Sequence, residues 1–164
     1  MSHSVTIRTH TVTTSSSTII INTGYMKTWS GILKLLELAF GIVCVGIIGN
    51  EFTYYTYYLG TPECFFLVTT SAFLIGTFII FLSCLLSLST ATILSKSLYE
   101  LLYHSIAFGL LLAASLTLII HVNNYYKHRS NRYELVLGAS ICGLINTALY
   151  LVSTIIALRG YRSL

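Results

Sequence analysis

The stretch Trp29–Gly49, WSGILKLLELAFGIVCVGIIG, decides how the chain is read. As a helix rising 1.5 Å per residue it reaches across a bilayer core of about 30 Å. Yet it holds two charges, Lys34 and Glu37. A charge facing lipid at mid-membrane costs roughly 2.5–3.5 kcal/mol on insertion scales, so neither is expected on the outer face. Lys34 sits within about 8 Å of the Trp29 end and is expected to snorkel outward. Glu37 lies a turn deeper and is expected to face protein. At a spacing of i, i+3 the two share a face and can pair. Gly41, Gly46 and Gly49 are expected to let neighbouring helices approach closely.

The rest of the chain agrees with a membrane reading. Its 164 residues are 55% hydrophobic and only 9% charged, whereas a soluble domain carries about 25% charged residues. A single proline argues against a loop-rich or β-rich soluble fold. The fold class expected is an all-α membrane protein, a four-helix transmembrane bundle with spans at about 29–49, 64–92, 98–122 and 135–158. The second run is longer than the ~20 residues a span needs, so it either tilts or has an interfacial end near Ser87–Thr92. Runs such as FLVTTSAFLIGTFIIFLSCLL do not alternate, which excludes transmembrane strands.

Residues 1–28 form a Ser/Thr-rich segment with little to bury. It has no basic region followed by an apolar run, so the first span is expected to serve as an uncleaved signal. The alternation in SVTIRTHTV lacks a partner strand, and a disordered tail is expected. In the cytoplasm Ser15, Ser16 and Ser17 would be exposed phospho-acceptors.

Basic residues near helix ends set the orientation. With both termini cytoplasmic, that side holds Arg8, Lys27, Lys34, Lys96, Arg159 and Arg162, and the outer side Lys127, Arg129 and Arg132, together the nine of the chain. The bias favours both termini inside. The outer loops are then short and rich in tyrosine: Tyr54, Tyr55, Tyr57 and Tyr58 in the first, with Glu51 and Glu63; Tyr125, Tyr126 and Tyr133 in the second. Boundary tyrosines usually form an aromatic belt. With Arg129 and Arg132 they also have the composition of a contact surface, and the opposite charges of the two loops invite docking.

Composition gives little chemistry. Cys44, Cys84 and Cys142 fall inside spans and Cys64 lies alone near the outer boundary, so no disulfide is expected. No Asn-X-Ser/Thr sequon occurs. Lys96, Glu100 and His104 repeat at i, i+4 along the start of the third span. Glu100–His104 could be a proton relay or half of a metal site, but a zinc site needs three or four ligands and no companion pair appears, so the ladder reads as solvated interfacial charges. His121 reads as an interface residue. No Ser-His-Asp set, HExxH motif or phosphate-cradling glycine loop is present, so no catalysis, cofactor, metal or nucleic-acid partner is expected. Asn146 is expected to hydrogen-bond across the bundle, and Gly109–Ala113 and Ala139–Gly143 to mark close-packing faces.

The first span, GILKLLELAFGIVCVGIIG, resembles the opening helix of MARVEL-domain proteins, in which an acidic residue in a Leu-rich stretch precedes a glycine and a β-branched run. Glu37 and Gly41 stand at those positions. The resemblance covers roughly Met26 to Arg162 and is closest to the chemokine-like-factor and myelin-and-lymphocyte branch. The tail with NTGYMKTW is similar to insect members. The chain lacks the long cysteine-bearing outer loops of occludin and the synaptic-vesicle physins, the Trp/Cys loop signature of claudins and the CCG motif of tetraspanins. The resemblance implies a multi-pass protein of the plasma membrane or transport vesicles, working in membrane-domain organisation, vesicle trafficking, or membrane apposition at junctions or in fusion. Its partners would be the bilayer, including ordered or sterol-rich lipids, and other membrane proteins or further copies of itself. Two alternatives stand beside this scaffold: a small ion or proton pathway centred on Glu37, and an accessory subunit of a larger receptor or channel.

Overall fold

The computed structural model describes residues 22–54, 60–125 and 130–163, without the side chains of Tyr54, Tyr125 and residues 130–132. Four helices in it are long and apolar enough to cross a membrane: α1 (Trp29–Tyr54), α2 (Thr61–Leu86), α4 (Leu98–Tyr125) and α5 (Ser130–Arg162). The short α3 (Leu88–Leu94) lies between α2 and α4. Among the described residues there is no strand.

Local chemistry sets the helix ends. Thr28 opens α1, its Oγ1 accepting from the Gly31 amide at 3.1 Å. Gly60 precedes α2, with Pro62 and Glu63 in the first turn, where a missing amide and a negative charge both suit the free N–H groups. Ser87 ends α2 in extended backbone, and its side chain caps α3 by accepting from Thr90 N at 3.2 Å. The long 64–92 run is thus divided: a spanning helix stops at Leu86 and a separate short one follows. None of the residues of α3 is buried.

The long helices pack as a closed ring, α1 on α2, α2 on α4, α4 on α5 and α5 on α1, with α4 and α5 in the most extensive contact. The start of α1, the end of α2, the start of α4 and the end of α5 share one end of the bundle, called here the terminal end. Large apolar side chains such as Ile42, Val68, Ile75, Ile120 and Ile141 cover the outer faces, as lipid requires.

Close approach depends on particular glycines. A Cβ at Gly143 would stand 2.6 Å from both Phe66 and Ser115 Oγ, so the Ala139–Gly143 face packs as expected. Gly41 receives Leu74 of α2, whose Cδ1 would be 3.1 Å from an added Cβ. Gly46, Gly49 and Gly109 are expected to admit neighbours, but among the described residues nothing lies within 4 Å of an added Cβ at any of them. Small-residue spacing marks a face on which helices can approach, but the ring geometry determines which such face meets a partner.

The residues just before α1 pack on the bundle. Asn22 N donates to the Leu85 carbonyl at 2.8 Å, and the Tyr25 ring lies 6.2 Å from that of Phe81. Burial pushes the Tyr25 phenol up from its ordinary value of 10.0.

Candidate functional site

The terminal half of the bundle holds a buried polar cluster to which every long helix contributes. Lys34 on α1 is 1% exposed and Glu37 is equally buried. The Lys34 ammonium donates to Ser30 Oγ at 2.9 Å and forms an ion pair with Glu100 of α4. Snorkelling and pairing with Glu37, both expected from sequence, therefore give way to a cross-bundle pair. The physical reason is depth: Glu100 stands in the first turn of α4, level with Lys34, whereas Glu37 lies a turn further in.

Glu37 finds partners on two other helices. Its Oε1 accepts from the Ser153 hydroxyl of α5 at 2.5 Å, and its Oε2 lies 3.8 Å from His104 Nε2 of α4. His104 Nδ1 lies 2.8 Å from the Glu100 carbonyl. A carbonyl only accepts, so Nδ1 carries a hydrogen. Glu100 and His104, read from sequence as solvated, are 6% and 0% exposed; Lys96 lies in the exposed turn before α4 begins and is not part of the helical ladder. The bundle places the third span's ladder against the first span's charges, which separate inspection of each helix cannot show.

Above this layer two phenols meet a threonine. Thr77 Oγ1 of α2 lies 2.6 Å from Tyr150 Oη and 2.9 Å from Tyr103 Oη, and the Phe73 carbonyl accepts from both phenols. Gly76 makes this geometry available, since a Cβ there would stand 2.6 Å from Tyr103 Oη. The His104 ring packs against both tyrosines, with centroids at 5.2 Å and 5.8 Å. Ser153, Thr77, Tyr103, Tyr150 and Gly76 went unremarked in the sequence. The tyrosines recur on α4 and α5 inside otherwise apolar runs, which was the available signal.

Toward the other end the interior is apolar. Cys44, Ile48, Phe66, Ala114, Leu118, Val122, Val136 and Ala139 form one buried cluster. Beyond it Glu63 Oε1 lies 3.3 Å from His121 Nε2, so His121 faces a buried carboxylate as well as the boundary. Glu51 and Glu63 are also buried, and Glu37 is one of four buried carboxylates. Asn146 is buried, but its Oδ1 has no hydrogen-bond partner among the described residues, so the expected bond across the bundle is not made there. Tyr54, Tyr55, Tyr57, Tyr58, Tyr125, Tyr126, Arg129 and Arg132, singled out as an outer-loop contact surface, have side chains outside the described residues. All four cysteines are free. Among the described residues no three His, Cys, Asp or Glu side chains are grouped to hold a metal.

Four apolar helices with a buried polar cluster define a multi-pass transmembrane bundle. The chain matches the MARVEL membrane-associating domain over residues 25–156. That is most of its length, and it belongs to this family. No curated protein and no solved structure matches it.

Proposed function

We propose that the chain is a non-enzymatic integral membrane scaffold that organises membrane domains, in trafficking vesicles or where two membranes are held close. The observation that carries this reading is the distribution of polarity. The charges of the terminal half pair inside the ring, an apolar cluster closes the interior beyond them, and large apolar side chains cover the outside. Such a molecule offers its outer faces to lipid, including ordered or sterol-rich lipid, and to other transmembrane helices. Its connections, residues 55–60 and 126–129, are short and support close approach of a second membrane. On this reading both termini are cytoplasmic, and the chain sits in the chemokine-like-factor and myelin-and-lymphocyte branch, at the plasma membrane or on transport vesicles.

The facing Glu37 and His104 favour a second reading, an ion or proton pathway. The apolar cluster on the other side weighs against it. Flux through vesicles reconstituted with the full chain separates the two. A scaffold gives no flux in wild type or in Glu37→Gln; flux in wild type that Glu37→Gln abolishes would overturn it. Capture in mild detergent followed by mass spectrometry tests the accessory-subunit alternative, for which a stoichiometric receptor or channel partner is required.

A further inference from the structure

We propose that Glu37 and His104 form a buried binding site for a single proton, loaded from the terminal end of the bundle and closed toward the opposite end.

The geometry leaves two atoms facing each other. Glu37 Oε2 and His104 Nε2 lie 3.8 Å apart, and neither has a hydrogen-bond partner among the described residues. Their other polar atoms are committed, Glu37 Oε1 to Ser153 and His104 Nδ1 to the Glu100 carbonyl. Protonation is therefore open only at the facing pair.

Charge counting selects one proton. Lys34 is neutralised by Glu100, so no cation is left over for Glu37. With no proton, a carboxylate oxygen and a ring lone pair oppose each other in a buried interior, both as acceptors. With one, the pair is a carboxylic acid beside imidazole or a carboxylate beside imidazolium, and the whole cluster is neutral in either form. With two, an imidazolium faces a neutral acid and one charge is in excess. Buried polar groups need partners and buried charges need compensation, and only the one-proton state provides both. A separation of 3.8 Å exceeds a direct hydrogen bond, so the proton is held by a small closure of the gap or through one bridging water.

The other titratable groups around the pair fit this count. They are Lys34 on α1, Glu100 and Tyr103 on α4 and Tyr150 on α5, while Cys84 on α2 and Tyr25 from the turn before α1 stand next to Lys34. Among them Glu100 is the one further carboxylate, and it is paired.

Access is one-sided. A cavity of about 40 Å³ is lined by Ser30, Lys34, Glu100 and Ser153, more than the roughly 10–15 Å³ one water needs. It reaches Ser153, the partner of Glu37. A pocket of about 410 Å³, also lined by Ser30 and Glu100, lies beside it together with Tyr25 and α3. In the other direction come Ala107, Leu111 and the apolar cluster.

The test uses the full chain in lipid nanodiscs and in oriented vesicles. Infrared spectra report a protonated carboxylic acid, and ring-nitrogen resonances report the state of His104. At neutral pH one of two signatures is expected, never both: an acid band lost in Glu37→Gln, or a doubly protonated His104 ring. The glutamine keeps the acceptor for Ser153 and supplies a donor toward His104, so it should fold. If it does not reach the membrane, His104→Gln serves for the same comparison. An ionised Glu37 beside a neutral His104 at neutral pH overturns the site. In oriented vesicles a pH step on the terminal side should move the signature and a step on the opposite side should not. An equal response from both sides overturns the one-sided access.

Discussion

The two halves of the bundle are built on different physics. In the terminal half, charges and hydroxyls from all the long helices interlock: Lys34 with Glu100, Glu37 with Ser153 and His104, Thr77 with Tyr103 and Tyr150. In the opposite half, Ile48, Phe66, Leu118, Val122 and Val136 form an apolar cluster around Ala114, Ala139 and Gly143, with the Glu63–His121 contact beyond it. Within lipid, apolar contact between helices gains no hydrophobic driving force, and packing alone holds such a region together. Polar contacts there specify partners more sharply, because a misaligned helix leaves a group unpaired. The comparison teaches that the terminal half sets which helix faces which, while the other half holds them close.

The comparison can be broken most forcefully at Lys34. Lys34→Ala leaves Glu100 buried without its cation, and the loss expected is about 3–5 kcal/mol in equilibrium unfolding from mixed micelles. Replacing both partners, Lys34→Met with Glu100→Met, should recover most of that. If Lys34→Ala is no worse than a cavity in the apolar half, the division of labour fails.

The glycines sharpen it next. Gly143→Ala puts a methyl into Phe66 and Ser115, and overpacking of this kind costs about 1–3 kcal/mol. Gly46→Ala meets open space and should raise stability by roughly 0.5–1 kcal/mol through helix preference alone. The opposite signs, read in the same unfolding assay, locate the close contact.

In the apolar half, Leu118→Ala loses packing without loss of transfer from water. At about 24 cal/mol per Å³ of residual void, a cost on the order of 1–2 kcal/mol is expected. The smallest effect is at Tyr25, outside the spans. Its folded phenol titrates above its ordinary value of 10.0. The stability this contributes is fully present below that value and is lost as pH rises through the folded one. The unfolding midpoint should fall at strongly alkaline pH in wild type, and less so in Tyr25→Phe.

Much of this architecture was legible in the sequence, and for a physical reason. The spans follow from one-dimensional hydropathy, which is local; it left the long 64–92 run either tilted or ended near Ser87–Thr92, and the Ser87 cap decides for the break. The buried position of Glu37 followed from the expense of exposing it to lipid. Its partners did not, because they sit on α4 and α5, and only the ring topology decides that the Glu100–His104 face of α4 turns inward; Lys96 lies in the turn before that helix begins. Glycine roles divided in the same way: Gly41 and Gly143 meet neighbours, Gly46 and Gly109 do not, although their sequence settings are alike. Ser153 carried no signal, since a serine in a span is ordinary until a carboxylate is found opposite it.

The interruption at Ser87 has a mechanical consequence. A rod of fixed greasy length dictates how thick its surroundings must be, and resists thinner or thicker ones by leaning. Here the rod ends at Leu86, and the surplus apolar residues, Leu88 and Ile93 among them, leave on a separate short helix. The spanning part of α2 is thereby held to 26 residues, the same as α1.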